Sequence, residues 1–247
     1  MSKKYLSFLI FFISYASPAS IKKQVESRHH PFLIQGDIAF EMDRNSNIVT
    51  SYAGKWDNGI VPYKIDPKYP QQYKALIVQA MKVIEVQTRN CIRFVEYSPS
   101  QNFFTWLYFT QDNGCWSYIG KGKGEQWLSL VPGCMTQSII IHEVLHALGF
   151  WHEQSRPDRD SYITINWSNI MPGYEAEFNK RPDAIDTMNI QYDYFSIMHY
   201  AFNTFALNTS LPTMIPTQPN INMYDLGTRD NLSETDIDKI KKYYNCY

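Results

Sequence analysis

The chain has 247 residues, with 23 basic and 24 acidic side chains and a formal net charge of -1 at pH 7. Its apolar share of 44% is ordinary for a globular protein and can fill the core of one compact domain with short extensions. No basic surplus is available to neutralise phosphates, so the composition excludes a nucleic-acid partner.

The N-terminus has the pattern of a signal peptide. Lys3 and Lys4 precede a mostly apolar stretch, Tyr5–Tyr15, and small residues follow it: Ala16, Ser17, Ala19 and Ser20. This stretch is too short to span a bilayer comfortably, and no later segment is long and apolar enough to do so. We expect residues 1–20 to be removed and the protein to be secreted to the extracellular space; the alternative is a buried N-terminal helix.

The next segment, from about Ile21 to Asn47, is polar and basic. It contains one apolar patch, Pro31–Ile34, followed by a turn signal at Gly36-Asp37. This pattern predicts a linker or a pro-segment rather than a domain. We assign residues 21–46 to a pro-segment and residues 47–247 to the main domain.

The main body begins near Trp56 with a mixed pattern of strands and helices. An amphipathic helix is predicted over Tyr73–Thr88, where apolar residues recur at helical spacing. Strands are predicted at Gly59–Ile65, Ile92–Tyr97 and Phe103–Thr110, and a hairpin closed near its ends by cysteines is predicted within Gly114–Gly133.

The second half holds fewer regular signals. A second helix is predicted over Ser138–Phe150, with Gly149 at the position where a helix would stop. Residues 153–230 are rich in Pro, Asn and Asp and should be mostly loop. A last helix is predicted from Ser233 to about Tyr244, with Asp236 completing a capping box at its start.

Cysteines and sequons fit an exported chain. Two disulfides are predicted from the four cysteines, and spacing alone leaves all three pairings open: Cys91, Cys115, Cys134 and Cys246. Three sequons are glycosylation candidates in a secretory chain: Asn166, Asn208 and Asn231.

The segment from His142 to His152 carries a metal-binding pattern. His142 and His146 are four residues apart, so a helix places both imidazoles on one face. Gly149 can adopt a left-handed turn that ends the helix and returns His152 as a third ligand. Three neutral nitrogens plus a water are typical of a catalytic zinc site, so we expect one Zn2+ per chain.

Glu143 lies one step round the helix from His142, close enough to reach a water on that ion. Zinc lowers the pKa of a bound water to about 7 and polarises a carbonyl. Glu143 can then take the proton of the water and pass it to a leaving amine. This division of roles predicts hydrolysis of protein or peptide substrates.

The segment resembles the metzincin metalloproteases, and its flanks narrow the resemblance to the astacin family. Two stretches carry the family's signatures, Glu153–Trp167 and Tyr194–Tyr200. Other matching stretches are Asn58–Tyr63, Cys91–Phe94 and Gly114–Tyr118, so the resemblance extends from Trp56 to Cys246.

The resemblance implies an α+β fold of two subdomains with the active site in the cleft between them. The N-subdomain, about residues 47–152, would hold a twisted sheet and the active-site helix. The C-subdomain, about residues 153–247, would hold a Met-turn and a C-terminal helix. Met198 would form the floor beneath the histidines. Tyr200 would be a fifth zinc ligand in the mature enzyme, one that moves to donate a hydrogen bond to the oxyanion of the transition state.

Further roles follow only from the resemblance. The disulfides would join Cys91 to Cys246 and Cys115 to Cys134. The cleft edge would be a strand along which an extended substrate adds antiparallel, and its residues are Cys115, Trp116, Ser117 and Tyr118.

Family precursors carry an F-x-G-D motif, which Ile34-Gln-Gly36-Asp37 resembles with Ile34 in the aromatic position. Asp37 would bind the zinc until cleavage near Arg44–Asn47 releases the pro-segment. The new N-terminus would then bury itself near Glu153.

The sequence therefore predicts a secreted, monomeric zinc endopeptidase made as a zymogen. One alternative is another metzincin clan, such as the matrix-degrading type, but Glu153 and the Ser196–Tyr200 turn favour astacin. A second alternative is a secreted, non-catalytic zinc-containing binding module. Loss of Glu143 or Tyr200 would favour that module, and both residues are present.

Overall fold

The structure is a computed structural model, and it describes residues 31–42, 48–49 and 54–246. The predicted signal peptide and the expected cleavage site near Arg44–Asn47 lie outside these residues. Within the described part of the chain, no helix has the length and apolar character needed to cross a bilayer.

Most of the strands form one eight-stranded mixed sheet. Its members are β1 (Phe32–Ile34), β2 (Ile38–Met42), β3 (Ile48–Val49), β4 (Ile60–Ile65), β5 (Arg93–Glu96), β6 (Thr105–Thr110), β7 (Cys115–Tyr118) and β8 (Gly124–Leu130). The order is β1-β2-β7-β8-β6-β4-β5, and β3 pairs with β2. β4, β5, β6 and β8 run parallel, whereas β7 is antiparallel to β8. The predicted strands and the predicted hairpin are confirmed, as is the α+β class.

Three α-helices lie among the described residues: α1 (Gln71–Gln87), α2 (Gln137–Ala147) and α3 (Glu234–Tyr244). α1 packs beside β5 and against α2, while α2 packs beside β7 and β8. The alternating pattern of β6 buries Leu107 and Phe109 in the same apolar core as both helices. The sheet and the two helices therefore form a rigid support for residues carried by α2.

α2 is shorter than the sequence predicts. It begins after Thr136, whose hydroxyl accepts a hydrogen bond from the backbone N–H of Ile139, and it ends at Ala147 instead of Phe150. The cause is Gly149, which has a φ of 110°. Only glycine adopts this conformation readily, and a Cβ there would also press on the ring of Tyr243 at 3.1 Å.

The C-terminal half is loop-rich, as expected, and has a small core of its own. β9 (Ile163–Ile165) and β10 (Met214–Pro216) form a two-stranded sheet. Around it lies a largely aromatic cluster that includes Phe178, Tyr192 and Tyr200.

Residues 31–42, which we call the N-terminal hairpin, differ from the linker that the sequence suggests. β1 and β2 pair antiparallel, and β2 adds parallel to β7, with Ile38 opposite Ser117. Ile38 and Phe40 form a buried cluster with Ile119, and Ile34 packs against it. Ile34 thus has an apolar contact site although it is not aromatic.

Two disulfides connect distant parts of the fold. Cys91, four residues after α1, joins Cys246 after α3, and Cys115 of β7 joins Cys134 before α2. No free cysteine remains among the described residues.

Candidate metal centre

Three imidazoles converge where α2 meets the loop that follows it. His142 and His146 lie one helical turn apart on α2. The turn at Gly149 reverses the chain and returns His152 to the same point. The ring centroid of His152 lies 5.2 Å from that of His142 and 4.7 Å from that of His146.

Each imidazole is oriented by a hydrogen bond on its Nδ1 atom. The acceptors are the Ile197 carbonyl for His142, at 2.8 Å, and the Phe150 carbonyl for His146, at 2.7 Å. For His152 the acceptor is the side-chain Oε1 of Gln35, at 3.0 Å. Because carbonyl oxygens only accept, every Nδ1 carries the proton and every Nε2 presents a lone pair.

Asp37 of the N-terminal hairpin completes the cluster. Its carboxylate oxygens lie 3.2 Å from His142 Nε2, 3.5 Å from His146 Nε2 and 3.2 Å from His152 Nε2. All four ligand atoms lie within 4.8 Å of one another. The sequence places Asp37 more than 100 residues before the histidines, so only the fold brings them together.

The cluster fits a tetrahedral zinc ion. Bonds of about 2.0–2.1 Å set tetrahedral ligands about 3.3 Å apart, close to the separations observed here. Two of the inward atoms, Asp37 Oδ1 and His146 Nε2, are buried without a hydrogen-bond partner among the described residues. Burial lowers the pKa of His152 to about 4, which keeps the imidazole neutral and able to bind a cation.

Glu143 is buried beside the cluster, on the helix turn that carries His142. Burial raises the pKa of its carboxyl well above the usual range, and the nearby negative charge of Asp37 raises it further. Its Oε2 atom has no hydrogen-bond partner within the described chain. A buried carboxylate with a raised pKa is suited to accepting and returning a proton.

The turn at Ser196–Tyr200 contacts two of the histidines, through the Ile197 carbonyl and the ring of Tyr200. Met198 is buried in the main apolar core, and its carbonyl accepts a hydrogen bond from the Glu153 backbone N–H at 3.0 Å. Asp236 holds the turn from below, since its carboxylate accepts from the Ser196 hydroxyl at 2.6 Å and from the Ile197 N–H at 3.0 Å. The same turn supplies the Ile197 carbonyl, which orients His142.

Tyr200 lies against the third histidine, with ring centroids 4.7 Å apart. Its hydroxyl donates a hydrogen bond to the backbone carbonyl of Gln35. Burial, with the nearby charges of Asp37 and Glu177, raises the pKa of the phenol well above its usual range. The group therefore remains a hydrogen-bond donor near neutral pH.

The edge of β7 is covered. β2 occupies it in a parallel register, and the Ser117 N–H donates to the carbonyl of Asp37 at 3.0 Å. Trp116 and Ser117 are buried, whereas Cys115 and Tyr118 are half-buried. Of the four residues that the sequence assigns to the cleft edge, Ser117 and Tyr118 therefore pair with the N-terminal hairpin.

Glu153 follows the third histidine and has both carboxylate oxygens bound. Oε1 accepts from Arg156 at 3.1 Å and from the Asp193 N–H at 2.9 Å, and Oε2 accepts from Lys239 of α3. Arg156 also pairs with Asp158 in the same loop. The negative charge of Glu153 is thus balanced by buried side chains.

Sequence reasoning missed three residues that contact this centre or its supports: Gln35, Asp236 as a support of the turn, and Lys239. A left-handed φ of 51° at Gln35 is visible only in the folded chain. The capping pattern at Ser233 identified Asp236 but not its second role. The sequence signal that could have identified Lys239 as a buried residue is its position on the apolar side of α3, next to Ile240.

An α+β fold with three histidines and a glutamate on one helix and its exit loop defines a zinc metalloprotease. The Astacin model, which describes a family of peptidases, matches residues 48–245 of the chain. The chain belongs to the astacin family of zinc metalloendopeptidases.

Individual relatives agree with this assignment. Zinc metalloproteinase nas-13 of Caenorhabditis elegans is 36% identical over 240 residues, which cover 88% of this chain and 51% of that protein. Zinc metalloproteinase nas-4 of the same organism is 36% identical over 222 residues, covering 86% of this chain and 69% of that protein. The chain thus spans about half of one relative and about two thirds of the other.

A solved structure is also similar. High choriolytic enzyme 1, a hatching enzyme zinc-protease from the medaka fish Oryzias latipes, has 40% sequence identity and a TM-score of 0.70. The match covers 78% of this chain and 94% of that one.

Proposed function

We propose that this chain is a secreted zinc endopeptidase that is made as a latent precursor and cuts internal bonds of protein substrates. The observation that carries the proposal is the convergence of four ligand atoms within 4.8 Å beside the buried carboxylate of Glu143. A non-catalytic binding module would have no need of that carboxylate.

The catalytic roles follow from the positions of the side chains. His142, His146 and His152 would hold the zinc, which would make a bound water more acidic and polarise the substrate carbonyl. Glu143 takes a proton from the attacking water and returns it to the nitrogen of the leaving amine. The phenol of Tyr200 donates a hydrogen bond to the negative charge that develops on the carbonyl oxygen.

Latency is supported by the same geometry. Asp37 occupies the place that a water needs, β2 covers the edge where a substrate strand would add, and Tyr200 is bonded to Gln35. A substrate would pair antiparallel to β7, whereas β2 pairs parallel to it. The N-terminal hairpin therefore blocks the cleft in a direction opposite to that of a substrate.

The chain organisation that we propose has a signal peptide at 1–20, a pro-segment at 21–46 and a catalytic domain at 47–247. The last has an N-subdomain to about residue 152 and a C-subdomain from about residue 153. Two disulfides support secretion, because such bonds persist in oxidising compartments.

The catalytic proposal is tested with Glu143→Ala. We expect the zinc-loaded, pro-segment-free variant to lose casein cleavage by at least about 100-fold, because general-base catalysis contributes about that much or more. Zinc content measured by atomic absorption should stay at one per chain. A variant that cleaves casein at the wild-type rate would refute the role of Glu143.

The latency proposal is tested with Asp37→Ala in the full precursor. Removal of the carboxylate opens the fourth ligand position, so the precursor should cleave a short fluorogenic peptide before processing. Phe32→Ala is the matched control, since Phe32 is exposed and lies in the same hairpin. An Asp37→Ala precursor that is as inactive as the wild-type precursor would show that Asp37 does not cause latency.

A further inference from the structure

Gln35 occupies the first position of the turn between β1 and β2, and its surroundings are unusual for a turn residue. It is only 1% exposed, and its φ is 51°. Residues with a Cβ adopt this left-handed conformation at a cost, and glycine or asparagine is the usual choice. The glutamine side chain is therefore the feature that needs an explanation.

The carboxamide of Gln35 bridges the metal centre and the C-terminal half. Its Oε1 accepts a hydrogen bond from His152 Nδ1 at 3.0 Å, while its Nε2 donates to the Asn179 carbonyl at 3.4 Å. The second bond fixes which end of the amide faces the histidine. The carboxamide thus determines the orientation of the third ligand.

The backbone of Gln35 also contacts the C-terminal half. Its carbonyl accepts a hydrogen bond from the Tyr200 hydroxyl. Together with the two hydrogen bonds of the carboxamide, this gives Gln35 three hydrogen bonds that do not involve the Asp37 carboxylate.

The partner of His152 differs in kind from those of the other two ligands. His142 and His146 donate to backbone carbonyls at Ile197 and Phe150, which stay with the catalytic domain. His152 donates to a side chain that leaves with the pro-segment. Of the three ligands, His152 alone loses its orienting acceptor when the precursor is processed.

We propose that Gln35 is a positioning residue that makes the precursor hold zinc more tightly than the processed enzyme does. This inference rests on the proposed function, since it requires a zinc site and a removable pro-segment. Partners in the outer shell of a metal site fix the ring and increase the basicity of the ligand, and their loss typically weakens metal binding by 10–100-fold. Processing would remove this support together with Asp37.

The test measures zinc release from the full, zinc-loaded precursor into excess chelator with a colorimetric indicator. Gln35→Met keeps the length of the side chain but has no oxygen acceptor, and we expect it to release zinc about 10-fold faster than the wild type. Gln35→Gly should do the same, although glycine suits the left-handed turn better. Phe32→Ala, in the same hairpin, should release zinc at the wild-type rate.

An internal control comes from removal of the pro-segment. Once it is cleaved and washed away, the wild type and both Gln35 variants have the same chain, so their zinc release rates must coincide. Equal release rates in the uncleaved precursors would overturn the inference, and so would a difference that persists after cleavage. Glycine adopts the left-handed conformation of residue 35 without strain, so Gln35→Gly should fold even if Gln35→Met does not. Circular dichroism checks the folding of both variants, and the test remains valid with Gln35→Gly alone.

Failure of the inference can be distinguished from failure of the proposed function. A wild-type chain that binds no zinc, or that cleaves no protein after processing, refutes the proposed function. A wild type that binds zinc and cleaves casein, but whose release rate is unchanged in both Gln35 variants, refutes the role of Gln35 alone.

Discussion

At the scale of single residues, the loop after the third histidine depends on a buried group of charges. Glu153 and Lys239 are 5% and 7% exposed, and Arg156 lies on the other side of the carboxylate. Charges removed from water in this way must be paired, since the desolvation of an unpaired ion costs several kcal/mol. The position of His152 thus depends on a lysine of α3, more than 80 residues later in the chain.

Lys239→Met should destabilise the fold by about 3 kcal/mol, because it leaves the Glu153 charge with one cationic partner instead of two. Urea unfolding monitored by tryptophan fluorescence measures the change. Lys242→Met is the matched control on the exposed side of the same helix and should change stability by less than about 0.5 kcal/mol. Equal effects of the two substitutions would show that the buried pair contributes nothing specific.

At the scale of elements, the N-terminus of α3 and the Ser196–Tyr200 turn form one unit. Asp236 closes the capping box with Ser233 and also binds the Ser196 hydroxyl and the Ile197 N–H. One carboxylate therefore fixes both the start of α3 and the position of the turn whose Ile197 carbonyl accepts a hydrogen bond from His142. Rigid support of this kind is what a catalytic metal site requires.

Asp236→Ala should lower the free energy of unfolding by about 3 kcal/mol, since it removes a cap and leaves buried donors of the turn unpaired. Release of zinc from the processed enzyme should also become faster, because the Ile197 carbonyl loses its fixed position. Asp238→Ala, on the exposed side of α3, is the control. Chemical denaturation and chelator kinetics provide the two readouts, and a stable variant with normal zinc release would contradict this account.

The elements also show which features the sequence could predict. α1 and the strands of the sheet follow from apolar periodicity, and the histidine pair follows from helical spacing. β1 and β2 were not predictable as strands, because their pairing partners lie elsewhere in the fold: β1 pairs with β2, and β2 pairs with β7. The same reason hides Gln35, whose contacts are with residues 117 to 165 positions away.

At the scale of the whole molecule, two halves with separate apolar cores meet at the metal centre. The first core joins the sheet to α1 and α2, and the second surrounds β9 and β10. The Cys91–Cys246 disulfide connects the end of the chain back to the first half. The fading of helical and strand patterns after Gly149 predicted a loop-rich second half, whereas the division into two subdomains was implied only by the resemblance to the astacin family. The sequence could not determine how the loops of the second half pack.

The surface positions of the sequons lead to a prediction that rests on the proposed secretion of the protein. Asn208 and Asn231 are exposed, whereas Asn166 is half-buried and donates its side-chain amide to the Pro212 carbonyl at 3.0 Å. A glycan must be attached at that amide nitrogen, so we expect glycans at Asn208 and Asn231 and none at Asn166. Mass spectrometry of glycosidase-treated peptides from secreted protein tests this. A glycan at Asn166 would mean that this loop has a different conformation when the glycan is attached.

The parallel pairing of β2 with β7 has a consequence for the kinetics of activation. β2 is a five-residue strand and carries the chain about 16 Å away from Asp37 before the expected processing site near Arg44–Asn47 is reached. Met42, the last residue of β2, is therefore well removed from Asp37. Under the proposed function we expect activation to be bimolecular, with the pro-segment cut by a second protease molecule. Its rate should scale with the concentration of that activator and vanish at infinite dilution of the precursor alone.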